Sequence, residues 1–156
     1  MSKTRRSAAA AVALLALAIL LASIGTASSQ TVTTMQLNFP KSDPDAFTDG
    51  GAPGPGVGDE LYIKGPVTDE TDANVGRLIA DVVTFSKDGS KCLFTVTITL
   101  NDRGTLEAVG ELDVSGVPDQ GTLAIVGGTG EFDGAQGLAA STIEKTGNVI
   151  IDITLL

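Results

Sequence analysis

Strict alternation of apolar and polar side chains runs through CLFTVTITL, residues 92–100. One face of this segment is wholly apolar, and the other carries Leu93 and three threonines. A period of two residues is typical of a β-strand with one buried face. Turn sequences flank the segment at residues 87–90 and 101–104, so the pattern predicts a strand between two hairpins.

Similar segments recur along the chain at intervals of roughly 8–12 residues, and no segment has the period of an amphipathic helix. This pattern predicts an all-β protein, either a sandwich or an up-and-down barrel. The last segment is apolar on both faces and would be a poor free edge, which favours closure into a barrel or burial against another subunit. The predicted strands are residues 31–39, 59–67, 76–86, 92–100, 105–114, 121–126, 138–145 and 149–156.

Glycine is concentrated in GTLAIVGGTGEFDGAQG, residues 121–137. Such density indicates positive φ or close backbone approach, as in a bulge or a barrel corner. A phosphate-binding Walker loop would need Lys-Ser/Thr after its last glycine, but Glu131 follows instead. The spacing of Gly128, Gly130 and Gly134 also differs from a dinucleotide-binding fingerprint. We therefore expect a structural corner of the sheet here.

The N-terminus has the features of a secretory signal peptide. Three basic residues lie within the first six, residues 8–21 are apolar, and small residues precede a predicted cleavage after Ala27. The apolar run is too short for a stable membrane span. We expect a secreted protein, extracellular or, in a bacterium, in the periplasm or cell-wall space. Its single mature domain is residues 28–156, in which residues 28–58 form a first strand and a long loop and residues 59–156 carry the other strands.

Composition excludes several kinds of partner and site. Without residues 1–27, seven basic residues stand against 19 acidic ones, a net charge of about −12 that repels nucleic acid and anionic lipid. We therefore expect neither nucleic acid nor a membrane as partner of the mature protein. The absence of histidine excludes Ser-His-Asp and Cys-His catalysis. The single cysteine, Cys92, is expected to be a small buried apolar residue without a disulfide partner.

Two regions with charged residues can each be interpreted in two ways. Residues 41–58 are rich in Asp, Pro and Gly and predict a long surface loop. Its aspartates lack the spacing of an EF-hand, so we expect a solvated loop and no metal site. Arg77 and Asp81 share a strand face with apolar residues. That face is either exposed or lines a partly buried cavity in which the two charges neutralise each other.

Residues 123–132, LAIVGGTGEF, together with AQG at 135–137 and VGR at 75–77, resemble the dirigent and allene oxide cyclase-like barrel proteins. The resemblance extends from about residue 59 to the C-terminus. It implies an eight-stranded antiparallel barrel with an apolar cavity, commonly a homotrimer or homodimer, and no cofactor. Members of this family hold a reactive apolar ligand in one conformer, which is catalysis by orientation.

The match to the family is incomplete. Asp59, followed by Glu60, corresponds to an acidic pair before the second strand, and Glu131 corresponds to the acid after Gly-Gly-Thr-Gly. Gln136 replaces the arginine of an Ala-Arg-Gly-Tyr-like run, and residues 61–63 replace a Pro-Leu-Thr sequence. These departures argue against steering of phenoxy radicals in particular and favour a bacterial origin.

We therefore expect a barrel that binds a small apolar or phenolic molecule and directs its cyclisation or stereoselective coupling. It would act as a cofactor-independent isomerase, or as an auxiliary without oxidase activity of its own. A carboxylate surrounded by apolar groups could polarise the ligand. The alternatives are a non-catalytic carrier and a structural module whose core is filled by Phe85, Phe94, Phe132 and aliphatic side chains. The candidate catalytic residues are Glu131, Arg77 and Asp59, and the candidate ligand-binding residues are Glu60, Tyr62, Asp81 and Gln136.

Overall fold

The structure, a computed structural model, describes residues 32–41, 45–51, 53–115 and 120–156. The predicted signal peptide, residues 1–27, lies outside these ranges. The described residues contain β-strands but no helix, and hence no helix that could span a membrane. The strands are β1 (Thr33–Phe39), β2 (Ala46–Thr48), β3 (Glu60–Thr68), β4 (Asn74–Thr84), β5 (Lys91–Leu100), β6 (Gly104–Asp113), β7 (Gln120–Gly130), β8 (Gly137–Ile143) and β9 (Val149–Leu155).

Eight of the strands form a closed barrel. Strands β3 to β9 pair antiparallel in chain order, and β1 pairs with β9. Closure comes from β1 and β3, where Asn38 lies opposite Thr68. The side-chain amide of Asn38 also donates a hydrogen bond to the carbonyl oxygen of Asp69 over 3.0 Å. The predicted eight-stranded antiparallel barrel is thus confirmed, and the sandwich alternative is excluded.

Strand β2 lies outside the barrel, within the segment predicted to be entirely loop. It pairs with the first residues of β3, where Phe47 lies opposite Leu61. Asp45 adds to this pairing, because its carboxylate accepts a hydrogen bond from the Lys64 N–H over 2.9 Å. The prediction of an uninterrupted loop was wrong. The sequence gives no sign of β2, because all three of its residues are exposed and show no alternation of buried and exposed positions.

The barrel interior forms the hydrophobic core, and its largest fully buried side chains include Ile98, Leu106 and Ile153. On β5 the alternation predicted from the sequence is confirmed, with Val96, Ile98 and Leu100 buried and the threonines on the outer face. Cys92 is buried, as expected. Arg77 and Asp81 both lie on the exposed outer face of β4, so the exposed alternative holds.

The glycine-rich segment, residues 121–137, spans nearly all of β7 and the turn to β8. A register shift between β6 and β7 leaves Val126 as the extra residue of a β-bulge. Beyond it, Gly130 and Gly134 have φ angles of 66° and 71°, which residues with a Cβ rarely adopt. The turn directs Phe132 inward, where the side chain is only 4% exposed. The predicted corner is therefore confirmed.

Candidate functional site

The barrel encloses an apolar cavity of about 150 Å³, called here the interior cavity. It lies toward the end of the barrel that carries the β4–β5 and β8–β9 turns. Every strand of the barrel contributes to it, because each presents one alternate face inward. Among the described residues, thirteen that line it are apolar and one, Ser141, is polar. The lining residues are Phe39, Ile63, Leu78, Ala80, Phe94, Val96, Ile98, Ala108, Leu112, Leu123, Ala139, Ser141, Val149 and Ile151.

Two glycines on the inner face make room at the cavity wall. A Cβ on Gly121 would lie 3.0 Å from both methyl carbons of Leu112. A Cβ on Gly110 would lie 2.9 Å from a methyl carbon of Leu123. Each leucine side chain therefore packs directly against a glycine, and a larger residue at either glycine would push that leucine into the cavity.

Phe132 closes the opposite end of the barrel. The guanidinium of Arg103 lies over its ring, 5.1 Å from the centroid. The Arg103 Nε also donates a hydrogen bond to Glu131 Oε2 over 2.8 Å, and the Glu131 N–H donates to the Arg103 carbonyl oxygen over 2.8 Å. These contacts join the β5–β6 and β7–β8 turns. The Glu131 carboxylate lies on the outside of this closure and is exposed.

A second space, the mouth cavity, lies between the segment around β2 and strands β3 to β5, with a volume of about 360 Å³. On β4 and β5 it is lined by Val82 and Cys92, each two positions beyond a residue of the interior cavity, Ala80 and Phe94. Phe47, 63% exposed, lies at its rim. The two cavities thus follow one another along the same inward strand faces.

Asp59 is the one buried acidic residue among those that the structure describes, with 5% exposure. Its carboxylate accepts hydrogen bonds from the N–H groups of Gly56 and Gly50, over 2.8 and 3.2 Å. Its carbonyl oxygen accepts from the Thr84 N–H over 2.9 Å. Through these hydrogen bonds Asp59 connects the segment before β3 to the end of β4, at the border of the mouth cavity.

Three of the predicted ligand-binding residues come together, but on the outside of the barrel. Tyr62 lies opposite Asp81 on neighbouring strands. With Glu60 they border an open cleft of about 220 Å³ beside β2. Glu60 and Asp81 are exposed and Tyr62 is half-buried. The cleft carries two carboxylates, in contrast to the interior cavity.

The other predicted residues also lie away from the interior cavity. Arg77 is exposed on the outer face of β4. Glu131 and Gln136 are exposed in the turn between β7 and β8. None of the seven sequence-predicted residues lines the interior cavity. Their proposed roles in catalysis and binding stay predictions. Ser141, the polar residue that does line the interior cavity, was not predicted from the sequence.

Three carboxyl groups with shifted pKa values lie in turns and do not line the interior cavity. Hydrogen bonds from the side chains of Ser90 and Ser86 lower the pKa of Asp88 to about 2. The pKa of Asp69 is lowered by hydrogen bonds from Thr71. Hydrogen bonds from Ser115 likewise lower the pKa of Asp113. These side chains stabilise turns by bonding to residues two positions further on.

In the ranges that the structure describes, no three His, Cys, Asp or Glu residues converge in a group that could hold a metal ion. The interior cavity therefore provides a bound ligand with a defined shape, apolar contacts and one hydroxyl group. Such a site favours an uncharged molecule, because an ion buried there would lack a partner.

The family profile described as "Dirigent-like protein" matches residues 23–156. The chain belongs to the dirigent-like protein family. This confirms the resemblance noted in LAIVGGTGEF. A search of curated proteins gives no significant match.

Solved structures share the fold of this dirigent-like protein at low sequence identity. A pyocyanin demethylase is 24% identical with a TM-score of 0.69, over 80% of this chain and 100% of its own. A pterocarpan synthase dirigent protein is 17% identical with a TM-score of 0.59, over 80% of this chain and 82% of its own. A Diels–Alderase from Streptomyces koyangensis is 16% identical with a TM-score of 0.63, over 80% of this chain and 63% of its own.

Proposed function

We propose that this dirigent-like protein holds a small apolar or phenolic molecule in its interior cavity and directs the cyclisation or stereoselective coupling of that molecule. The observation that carries the proposal is the interior cavity itself, whose lining is apolar except for Ser141. Binding in such a site restricts the conformers of a flexible ligand. Well-oriented reacting groups can save roughly 7–11 kcal/mol of barrier without any acid or base from the protein.

The size of the two cavities sets how a reacting ligand would lie. The interior cavity, about 150 Å³, is smaller than the roughly 300–1,000 Å³ typical of sites for drug-sized ligands. It accommodates about one ring, and the rest of a longer molecule extends into the mouth cavity of about 360 Å³. Phe94 and Leu112 lie at the interior side of this path, next to Cys92 and Val114 at the mouth.

The activities for which two structural relatives are named support this proposal. One is named as a pterocarpan synthase dirigent protein and another as a Diels–Alderase. A Diels–Alder reaction forms a ring, and orientation of the reacting atoms within an enclosure is a general route to such catalysis. For the present chain, cyclisation rests on the cavity and on family membership.

A non-catalytic carrier is the second candidate function. It is favoured by the lining itself, because no ionisable side chain is among the described residues that border the interior cavity. General acid or base catalysis needs such a group within hydrogen-bond reach of the ligand. A carrier needs only apolar contact and shape.

The two functions are separated by following the fate of the ligand. The purified protein is incubated with a metabolite extract of its source organism, and bound and free compounds are analysed by mass spectrometry and chiral chromatography. A change in ring count or enantiomer ratio that is faster than in a boiled control supports the cyclase or coupling function. A compound retained unchanged supports the carrier. If no compound is retained and none is changed, both functions are contradicted.

The proposal also includes export and self-association. Export would remove residues 1–27, so the N-terminal sequence of protein recovered outside the cytoplasm should begin at Ser28. Protein that retains residues 1–27 would contradict export by this route.

Self-association as a homodimer or homotrimer is supported by the outer face of β7 and β8, where Val126 and Leu138 are 59% and 53% exposed. Exposed Ala124 and Ala140 extend this face, and we call the four residues the outer apolar face. A second copy of the chain is the occupant that we propose for it.

A further inference from the structure

The single polar side chain of the interior cavity is placed there by the alternation of β8. Ala139 and Ser141 face inward, while Leu138 and Ala140 are exposed on the other face. Ser141 lies opposite Gly121 on β7 and opposite Ile151 on β9. A hydroxyl group thus lies within an otherwise apolar wall, where it has a strong influence on the orientation of any ligand.

The hydroxyl of Ser141 has unused hydrogen-bonding capacity. Its Oγ donates to the carbonyl oxygen of Gly121 over 3.3 Å, longer than the roughly 2.7–2.8 Å most common for such bonds. A hydroxyl oxygen can also accept two hydrogen bonds. Among the described residues, no group donates to Ser141 Oγ, so both lone pairs are available to a ligand.

The absence of a side chain at Gly121 lets the Ser141 hydroxyl lie close to the backbone of β7. A Cβ at Gly121 would lie 3.2 Å from Ser141 Oγ and 3.0 Å from the methyl carbons of Leu112. Any larger residue would therefore crowd both neighbours. Glycine at this position therefore allows the hydroxyl group and the Leu112 side chain to pack against the backbone of β7.

We propose that Ser141 accepts a hydrogen bond from the hydroxyl group of a neutral, single-ring part of the ligand and thereby determines how the ring lies in the cavity. This assignment rests on the proposed function and names the chemistry that the site selects. An apolar cavity of about 150 Å³ is large enough for benzene. A charged ring substituent is excluded because the lining offers it no ionic partner.

The inference is tested with two probes of nearly equal shape, phenol and toluene, which differ in the hydroxyl group. Their affinities are measured by NMR titration for the wild-type protein and for Ser141→Ala. Loss of one hydrogen bond should weaken phenol binding by roughly three- to tenfold. Toluene binding should stay the same or become tighter, because the wall becomes wholly apolar. Benzoate should not bind to either protein.

Two further variants complete the design. Thr142→Ala changes the next residue of the same strand, which is not a lining residue, and should leave both affinities unchanged. Ser141→Cys retains a small side chain of similar shape but offers a weaker acceptor, and should give an intermediate loss for phenol. This variant keeps the test decisive if Ser141→Ala folds poorly.

The outcomes separate this inference from the function on which it rests. If both probes bind and Ser141→Ala changes their affinities equally, or leaves phenol unaffected, the role of Ser141 is overturned while the cavity remains a binding site. If neither probe binds to the wild-type protein, the proposed function is overturned together with the inference. Tight binding of benzoate would overturn the selection for neutral ligands.

Discussion

Gly128 lies directly against the backbone of Phe132: a Cβ built on Gly128 would come within 2.7 Å of the Phe132 carbonyl oxygen. It would also lie 2.3 Å from the carbonyl oxygen of Thr105. Both atoms belong to the backbone, so the contact cannot be relieved by a side-chain rotation. The close approach allows the turn after β7 to fold back and place Phe132 in the end of the barrel.

The first prediction concerns Gly128 and the adjacent Gly127. Gly128→Ala should lower the free energy of unfolding by roughly 1–3 kcal/mol or more, because the backbone must shift. Gly127→Ala is the matched control, since a Cβ there meets no atom within 4 Å, and its effect should stay within about 0.5 kcal/mol. Urea unfolding measures both. Equal stability of the two variants would contradict this account of the corner.

The second prediction concerns pH. The pKa of Asp88 is lowered from 3.8 to about 2 in the folded protein, so its hydrogen bonds stabilise the fold above pH 3.8 and are lost as the pH falls toward 2. Asp88→Asn should therefore lose less stability between pH 4 and pH 2 than the wild type. Ser90→Ala removes a donor that lies 2.7 Å from the carboxylate and should flatten the pH profile in the same direction. Parallel thermal-unfolding profiles for all three proteins would refute this assignment.

The third prediction separates two charged side chains on the outside of the barrel, Glu131 and Arg77, from the interior cavity. Glu131→Gln and Arg77→Ala should change toluene affinity by no more than about twofold, because both side chains are exposed and neither lines the cavity. Glu131→Gln should cost at most about 1 kcal/mol of stability, as expected for a surface ion pair. Tenfold weaker binding in either variant would mean that the ligand occupies the outer surface.

The fourth prediction tests self-association through the outer apolar face. Light scattering after size exclusion should give a dimer or trimer mass for the wild type and a monomer mass for Leu138→Asp, because a buried carboxylate would lack a partner. Thr95→Asp places the same charge on the exposed outer face of β5 and should leave the mass unchanged. A monomeric wild type, or an unchanged mass in Leu138→Asp, would show that this face does not mediate assembly.

Much of the fold was predictable from sequence because period-two alternation fixes which side chains face inward. In residues 92–100 the burial follows that alternation closely. The glycine corner was predictable for a different reason, since positive φ at Gly130 and Gly134 leaves a compositional signal. Strand β2 left none, because its three residues are exposed and too few to show a period.

The candidate site was less predictable, for two physical reasons. Motif similarity drew attention to Glu131, but a motif does not give the direction of a side chain, and the turn places this one outside. Alternation with Leu61 and Ile63 does place Glu60 and Tyr62 on the opposite face, so their outward position was readable. Ser141 was hidden because residues 138–143 carry small or apolar side chains on both faces.

The central claim is that the interior cavity binds a small neutral molecule, and methyl NMR during toluene titration tests it most directly. The account predicts saturable shifts for methyl groups of Leu112, Val96 and Ile151, which line the cavity, and none of comparable size for exposed Val126. Ala139→Leu fills the cavity and should abolish these shifts, whereas Thr95→Leu places the same side chain on the exposed outer face of β5 and should preserve them. The account would be contradicted if the lining methyl groups did not respond, or if Ala139→Leu left their response intact.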